Sequence, residues 1–217
     1  MEALLSEEEL KEEIVRIMKT LYDKGLITAL GGNVSARFPG ASEFYITPSQ
    51  VFKGALKPDD IIKVDLDGNL IEGVLRPSVE TPAHALVYKV RPDVNAIIHA
   101  HSPWTLGLLS SGRKLKTTIT EEAVLLLQRI EVIPFKFPGT IELAKMIEEA
   151  ASKGARAILM KNHGVMSLGA DLLEAEAVVE LIESISIIEF VCYALGEEPP
   201  DIPAEEIEIA KIYLGYK

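Results

Sequence analysis

The run Val94-Asn95-Ala96-Ile97-Ile98 ends in His99-Ala100-His101, and this junction constrains the fold more than any other stretch of the chain. In an extended strand the side chains alternate with a period of two. The imidazoles of His-Ala-His therefore leave the same face a few ångströms apart, a geometry suited to chelating one metal. The chain has only four histidines, and a third, His163, stands in Lys161-Asn162-His163-Gly164, directly after a second buried-strand candidate, Ala157-Ile158-Leu159-Met160. A fold that ends both strands at one place builds a three-histidine site, with Glu80 as an additional carboxylate. Three imidazoles leave one tetrahedral position open, as a catalytic zinc needs and a structural zinc lacks. The pattern points to an enzyme.

Other properties narrow the class. A chain of 217 residues with 48% hydrophobic content can bury one large core, and a single domain over 1–217 is expected. The net charge of -11 and the absence of a Lys/Arg cluster argue against nucleic acid as a partner, because a phosphate backbone would be repelled. The start, Met1 to Glu9, has neither a basic lead nor a long apolar stretch, so it reads as neither a signal peptide nor a membrane span. A cytoplasmic protein without a membrane partner is expected. The lone cysteine, Cys192, permits no intramolecular disulfide and no thiolate cluster, so any metal is held by nitrogen and oxygen. Cys192 itself falls in an apolar helix and is expected in the core.

Along the chain, Ser6 to Glu9 reads as a capping box, and Leu10, Ile14, Ile17, Met18 and Leu21 recur at helical spacing. The first helix is predicted to run to about Lys24 and stop at Gly25. From Val34 to Ile71 short β-rich runs follow, ending in a hairpin that turns at Leu66-Asp67-Gly68-Asn69. A helix is predicted over Thr81 to Val90, with Thr81 as cap and Pro82 at the first helical position. The His99 strand comes next, then a short helix opened by Ser102-Pro103. Thr140 opens another helix that ends before Gly154, and a long one runs from Asp171, boxed by Glu174, to Leu195, closed by Gly196. Pro203 to Lys217 is predicted to form a last helix and a short tail. The sum is an α/β or α+β fold, with a mixed, largely antiparallel sheet flanked by helices.

Several residues could carry chemistry. Glu80 precedes a helix start, where the macrodipole and free amides favour an anion, which suits a general base; without the histidines the same residue would be an ordinary solvated glutamate. His84, four residues on, is expected to be a hydrogen-bond partner behind the ligands, or else simply structural. Leu30-Gly31-Gly32-Asn33 offers bare amides that could cradle an anion, although such a run is commonly a tight turn, and Thr47-Pro48-Ser49 offers hydroxyls. The helix from Asp171 to Leu195 is apolar over much of its surface, as a helix packed against other helices or subunits would be.

These pieces in this order resemble the class II aldolase/adducin family, most closely its zinc-dependent L-fuculose-1-phosphate aldolase branch. The likeness runs through Gly31-Gly32-Asn33-Val34-Ser35, Ile46-Thr47-Pro48, Pro77-Ser78-Val79-Glu80, the stretch Arg91 to His101, and Asn162-His163-Gly164. The resemblance implies His99, His101 and His163 as ligands of Zn2+, with Mn2+ or Co2+ also compatible with imidazole and carboxylate. It makes Glu80 the base and at times a fourth ligand; 4-epimerases of the superfamily usually carry Asp there. It also implies a sugar phosphate whose phosphate is held by Gly32, Asn33, Thr47, Ser49 and Ser78. Gln50 stands where the aldolases have Gly, and Val79 where they have a second Ser. The aldolases take a tyrosine from the region corresponding to Thr118–Leu126, which here has none. Tail tyrosines often contribute in the family as well, so the resemblance implies Tyr213 or Tyr216 as the acid, with a simple packing role the equal alternative.

The implied reaction is reversible cleavage of a ketose 1-phosphate to dihydroxyacetone phosphate and a small aldehyde through an enediolate, in a homotetramer with its site at a subunit boundary. Alternatives are a related lyase, such as a methylthioribulose-1-phosphate dehydratase or a sugar-acid decarboxylase, a 4-epimerase, and, least favoured, a non-catalytic adducin-like interaction module.

Overall fold

The computed structural model describes residues 5–214. Helix α1 (Glu7–Asp23) starts with the expected box: Ser6 Oγ accepts from the Glu9 amide at 3.3 Å, and the Glu9 carboxylate accepts from the Ser6 amide at 2.7 Å. It ends at Lys24, and Gly25 takes φ +71°, a left-handed turn that favours glycine. Its apolar stripe, Leu10, Ile14, Ile17, Met18 and Leu21, is buried.

Eight strands follow: β1 (Asn33–Ala36), β2 (Glu43–Ile46), β3 (Ile62–Asp65), β4 (Leu70–Glu72), β5 (Ala96–Ala100), β6 (Ile130–Ile133), β7 (Ala157–Met160) and β8 (Gly164–Gly169). They form one sheet in the order β4-β3-β2-β1-β5-β8-β7-β6, antiparallel at every pairing except β6 with β7. The single mixed, largely antiparallel sheet expected of the sequence is therefore present.

The remaining helices are α2 (Thr81–Val90), α3 (Pro103–Ser110), α4 (Glu121–Leu127), α5 (Ile141–Ser152), α6 (Leu172–Ala194) and α7 (Ala204–Leu214). Cores lie on both faces of the sheet. Ala96, Ile98 and Ala100 of β5 join α1 and α6 on one side, while Ile97 joins α2 and α5 on the other. β7 divides likewise, Ala157 and Leu159 to one core and Ile158 and Met160 to the other. A strand covered on both faces gains about 1.5–3 kcal/mol for each large aliphatic side chain it buries, which is why these runs are apolar without alternation.

Local details depart from the sequence reading. The N-cap of α2 is Glu80, not Thr81, and Thr81 Oγ1 instead donates to the Ser78 carbonyl at 2.7 Å. Ser102 makes no side-chain cap for α3; the Glu183 carboxylate of α6 accepts from the Trp104 and Thr105 amides at 3.0 and 3.1 Å. Asp171 caps α6 as expected, but Glu174 reaches back to the Ala170 amide at 2.6 Å rather than to that of Asp171. Cys192 is half-buried rather than in the core.

Candidate metal centre

The site forms where β5 runs out. β1 and β8 both lie antiparallel to β5, so the C-terminal end of β5 meets their first residues: Asn33 pairs with His99, and Ala100 with Val165. His99 shares its sheet face with Ile97, on the side that carries α2, and α2 begins beside it with Glu80. His101 follows the strand, its amide donating to the Leu26 carbonyl at 2.8 Å, and the next residue, Ser102, holds the strained φ of +25°. His163 stands in the β7–β8 turn, where Asn162 adopts φ +57° and the His163 amide closes on the Met160 carbonyl at 3.1 Å.

Two glycines make room. A Cβ on Gly164 would sit 2.2 Å from the Ala100 carbonyl oxygen and 2.9 Å from His99 Cε1, and one on Gly31 would sit 2.5 Å from His101 Cε1.

Three side chains converge there as the sequence predicted. One ring nitrogen from each of His99, His101 and His163 lies within 4.8 Å of those of the others. His99 is buried and its partners are half-buried. Glu80 completes the group: its Oε2 is 3.3 Å from His99 Nε2, its Oε1 is 3.4 Å from His163 Nε2, and Oε2 accepts from Asn33 Nδ2 at 2.7 Å. The helix amides that were to hold Glu80 do not, since it makes no cap hydrogen bond.

The electrostatics fit a cation. His99 Nδ1 lies 3.0 Å from the Val165 carbonyl, which can only accept, so Nδ1 carries the proton and Nε2 presents a lone pair. Burial, reinforced by the neighbouring His101, pushes His99 down to about 3, and burial with His99 pushes His163 down to about 4; burial also lowers His101. These imidazoles are neutral at pH 7. A lone pair on His99 Nε2 thus faces the Glu80 carboxylate, and His99 Nε2 and Glu80 Oε1 are buried without a hydrogen-bond partner. Acceptors converging without a donor are what a divalent ion resolves, and nitrogen and oxygen donors suit zinc, manganese or cobalt.

The triad and Glu80 open on a cleft of about 390 Å³ that Gly32, Asn33, Ser49 and Ser78 also line. Ser78 Oγ accepts from the Glu80 amide at 3.3 Å, tying this wall to the carboxylate. Thr47 is not brought there: it is fully buried, and its hydroxyl accepts from the Val34 amide at 3.2 Å. His84 lies behind the site, its Nδ1 2.7 Å from Ser35 Oγ, which meets Tyr88 Oη at 2.8 Å. The group that orients His99 is the Val165 carbonyl and not His84. Tyr213 falls within α7 with its side chain outside the described residues, and Tyr216 lies outside them altogether. Val79 lines the cleft half-exposed, and Gln50 adopts φ +56°, the left-handed backbone that a glycine would take without strain. Sequence reasoning missed Lys53 on this wall; its one signal was a single cation inside the otherwise uncharged run Val51 to Leu56.

Residues 12–189 of this single α/β domain, which holds three clustered imidazoles at a strand end, match the family described as Class II Aldolase and Adducin N-terminal domain. The chain belongs to that family. In such proteins a histidine triad of this kind suggests a divalent metal site. Among its relatives is an L-fuculose phosphate aldolase of Methanocaldococcus jannaschii, 37% identical over 80% of this chain and 91% of that protein. A 3-oxo-tetronate 4-phosphate decarboxylase of Escherichia coli is 30% identical over 89% of this chain and 90% of its own length. A solved L-fuculose 1-phosphate aldolase superposes with a TM-score of 0.84 at 31% identity, covering 95% of this chain and 96% of the other. No helix among the described residues is long and apolar enough to cross a membrane.

Proposed function

We propose that this protein is a zinc-dependent aldolase that reversibly cleaves a ketose 1-phosphate to dihydroxyacetone phosphate and a small aldehyde. The observation that carries the reading is the Glu80 carboxylate, set 3.3 and 3.4 Å from two of the three imidazoles and facing the cleft they line. An ion held by His99, His101 and His163 would supply Lewis acidity, polarising the substrate carbonyl and stabilising the negative charge that develops on its oxygen.

In the condensation direction Glu80 takes the proton from the hydroxymethyl carbon of dihydroxyacetone phosphate. That carbon then bonds to the aldehyde carbon, and an acid protonates the resulting alkoxide. In cleavage the hydroxyl gives up its proton, the carbon-carbon bond breaks, and Glu80 returns its proton to the carbon left behind. Asn33, donating to Glu80 Oε2 at 2.7 Å, fixes which oxygen faces the reacting carbon. Gly32, Ser49 and Ser78 offer amide and hydroxyl donors to the phosphate from the same wall, and Tyr213 or Tyr216 remains our assignment for the acid.

The test is metal-loaded protein given ketose 1-phosphates, ketose 5-phosphates and their unphosphorylated forms, with release of dihydroxyacetone phosphate as the readout. Replacing Glu80 with Gln should leave the metal content unchanged while turnover falls by about 10²–10⁴. Unchanged turnover would remove Glu80 from the base role. A second reading, decarboxylation of a phosphorylated sugar acid, is favoured by the decarboxylase relative, which aligns over 89% of the chain. Carbon dioxide release from such an acid, with no triose phosphate from any ketose, would establish it.

A further inference from the structure

We propose that Lys53 is the cation that receives the anionic group of the substrate. This rests on the sugar-phosphate reading above and adds to it the residue that meets the phosphate charge. Lys53 opens a short 3-10 turn, Lys53–Ala55, anchored by its amide to the Ala29 carbonyl at 2.9 Å. The residue is only 2% exposed. Its ammonium donates to the Pro48 carbonyl and, among the described residues, makes no ion pair. Burial without a counter-charge is expensive for an ammonium and pushes Lys53 down to about 8. A cation buried against a neutral carbonyl is accounted for when its partner arrives from outside.

Its position says which partner. Lys53 lines the same cleft as the triad, Gly32, Ser49 and Ser78, and among the described residues it is the sole Lys or Arg there. The loop leading to it is held in place: the Ser49 amide donates to the Arg76 carbonyl at 2.8 Å, Pro48 bridges to Pro77, and Gln50 keeps its left-handed φ of +56°. Strain of this kind persists where the surroundings over-determine it. The other donors on that wall are neutral, and Val79 presents none. Among the described residues lining the cleft, Lys53 is therefore the one group that can offer a full positive charge to a phosphate whose sugar end lies at the histidines, in a charge-assisted hydrogen bond stronger than a neutral one.

The experiment titrates inorganic phosphate calorimetrically into the metal-replete protein and into its Lys53→Met variant. Phosphate should bind the variant at least about tenfold more weakly. Equal affinity for the two chains, or no binding by the unmodified protein, overturns the assignment. If Lys53→Met does not fold, the unmodified chain decides: acetic anhydride acylates Lys53, read by peptide mass spectrometry, and phosphate should slow that acylation severalfold. An unslowed rate overturns it. Dihydroxyacetone phosphate and dihydroxyacetone, each supplied with a small aldehyde as acceptor, separate this proposal from the aldolase reading. Where the variant loses phosphate binding but the unmodified protein turns over neither triose, the anion site stands and the aldolase reading falls. Where aldol activity is present and Lys53→Met weakens both trioses equally, the aldolase reading stands and Lys53 loses its role; a loss confined to the phosphorylated triose supports both.

Discussion

Acidifying the metal-free protein from pH 7 to pH 5.5 should remove about 4 kcal/mol of folding free energy through its buried histidines. Burial holds His84 and His99 at about 3 and His163 at about 4, against an ordinary value of 6.5. Each imidazole stays neutral in the fold while the same residue in the unfolded chain takes up a proton below pH 6.5. The unfolded state then binds more protons, so stability rises with pH across this window and falls on acidification. At pH 5.5 the unfolded chain carries about 0.9 proton per histidine and the fold almost none. At about 1.36 kcal/mol per pK unit, each residue accounts for about 1.2 kcal/mol over the interval. The three together remove a quarter or more of a typical stability of about 5–15 kcal/mol. Asp65, Asp93 and Asp201, held below their ordinary 3.8, lose their contribution only at lower pH. Urea denaturation after chelator dialysis, at half-unit steps from pH 7 to 5.5, measures the slope. Saturating zinc should restore stability, because it binds the unprotonated imidazoles of the folded state. His84→Asn should be less stable at pH 7 yet lose about one proton from the slope. A level profile in the metal-free protein would refute the claim that the fold buries these rings neutral.

Gly164→Ala tests the close approach of β5 and β8. With its Cβ 2.2 Å from the Ala100 oxygen, the ladder must open and carry His99 with it, at a cost of about 2–4 kcal/mol. The melting temperature and the metal content should both fall, and retention of both contradicts the packing. The homotetramer, with its site at a subunit boundary, is likewise a prediction. Trp104 of α3 packs tilted against Phe190 of α6, ring centroids 4.9 Å apart, while both stay more than 40% exposed, and Ile187, Ile188 and Val191 extend the patch. Apolar surface of this kind marks association sites. Sedimentation should show four chains together, with Phe190→Glu dissociating them; a monomer at assay concentrations refutes it.

What was legible in the sequence was whatever rests on short-range periodicity. The capping box of α1, the Leu66–Asn69 turn and the span of α2 follow from local spacing, and so does the common face of His99 and His101. Features set by distant partners were not visible. β6 is a short, partly exposed edge strand that pairs only with β7, and β8 is buried along its whole length between β5 and β7, so neither shows a clean alternation of buried and exposed residues. α3 takes its cap from Glu183, 78 residues away from Thr105, and no local motif encodes that. Lys53 escaped for the same reason: a lysine reads as solvated until the fold shows it covered.

The site differs from mere packing. The neutral rings, and Glu80 with an oxygen left without a donor, gather at one strand end, although each buried unsatisfied polar atom costs about 1–3 kcal/mol and an aliphatic residue in its place would not. Folding alone gives no reason to concentrate such losses, and elsewhere β5 and β7 carry uninterrupted apolar side chains. The concession is made where the ladders of β1, β5 and β8 stop and a cleft begins, so that a ligand can satisfy from outside what the core leaves open. Local violations of folding rules that coincide with an accessible cavity identify function more sharply than any single residue type.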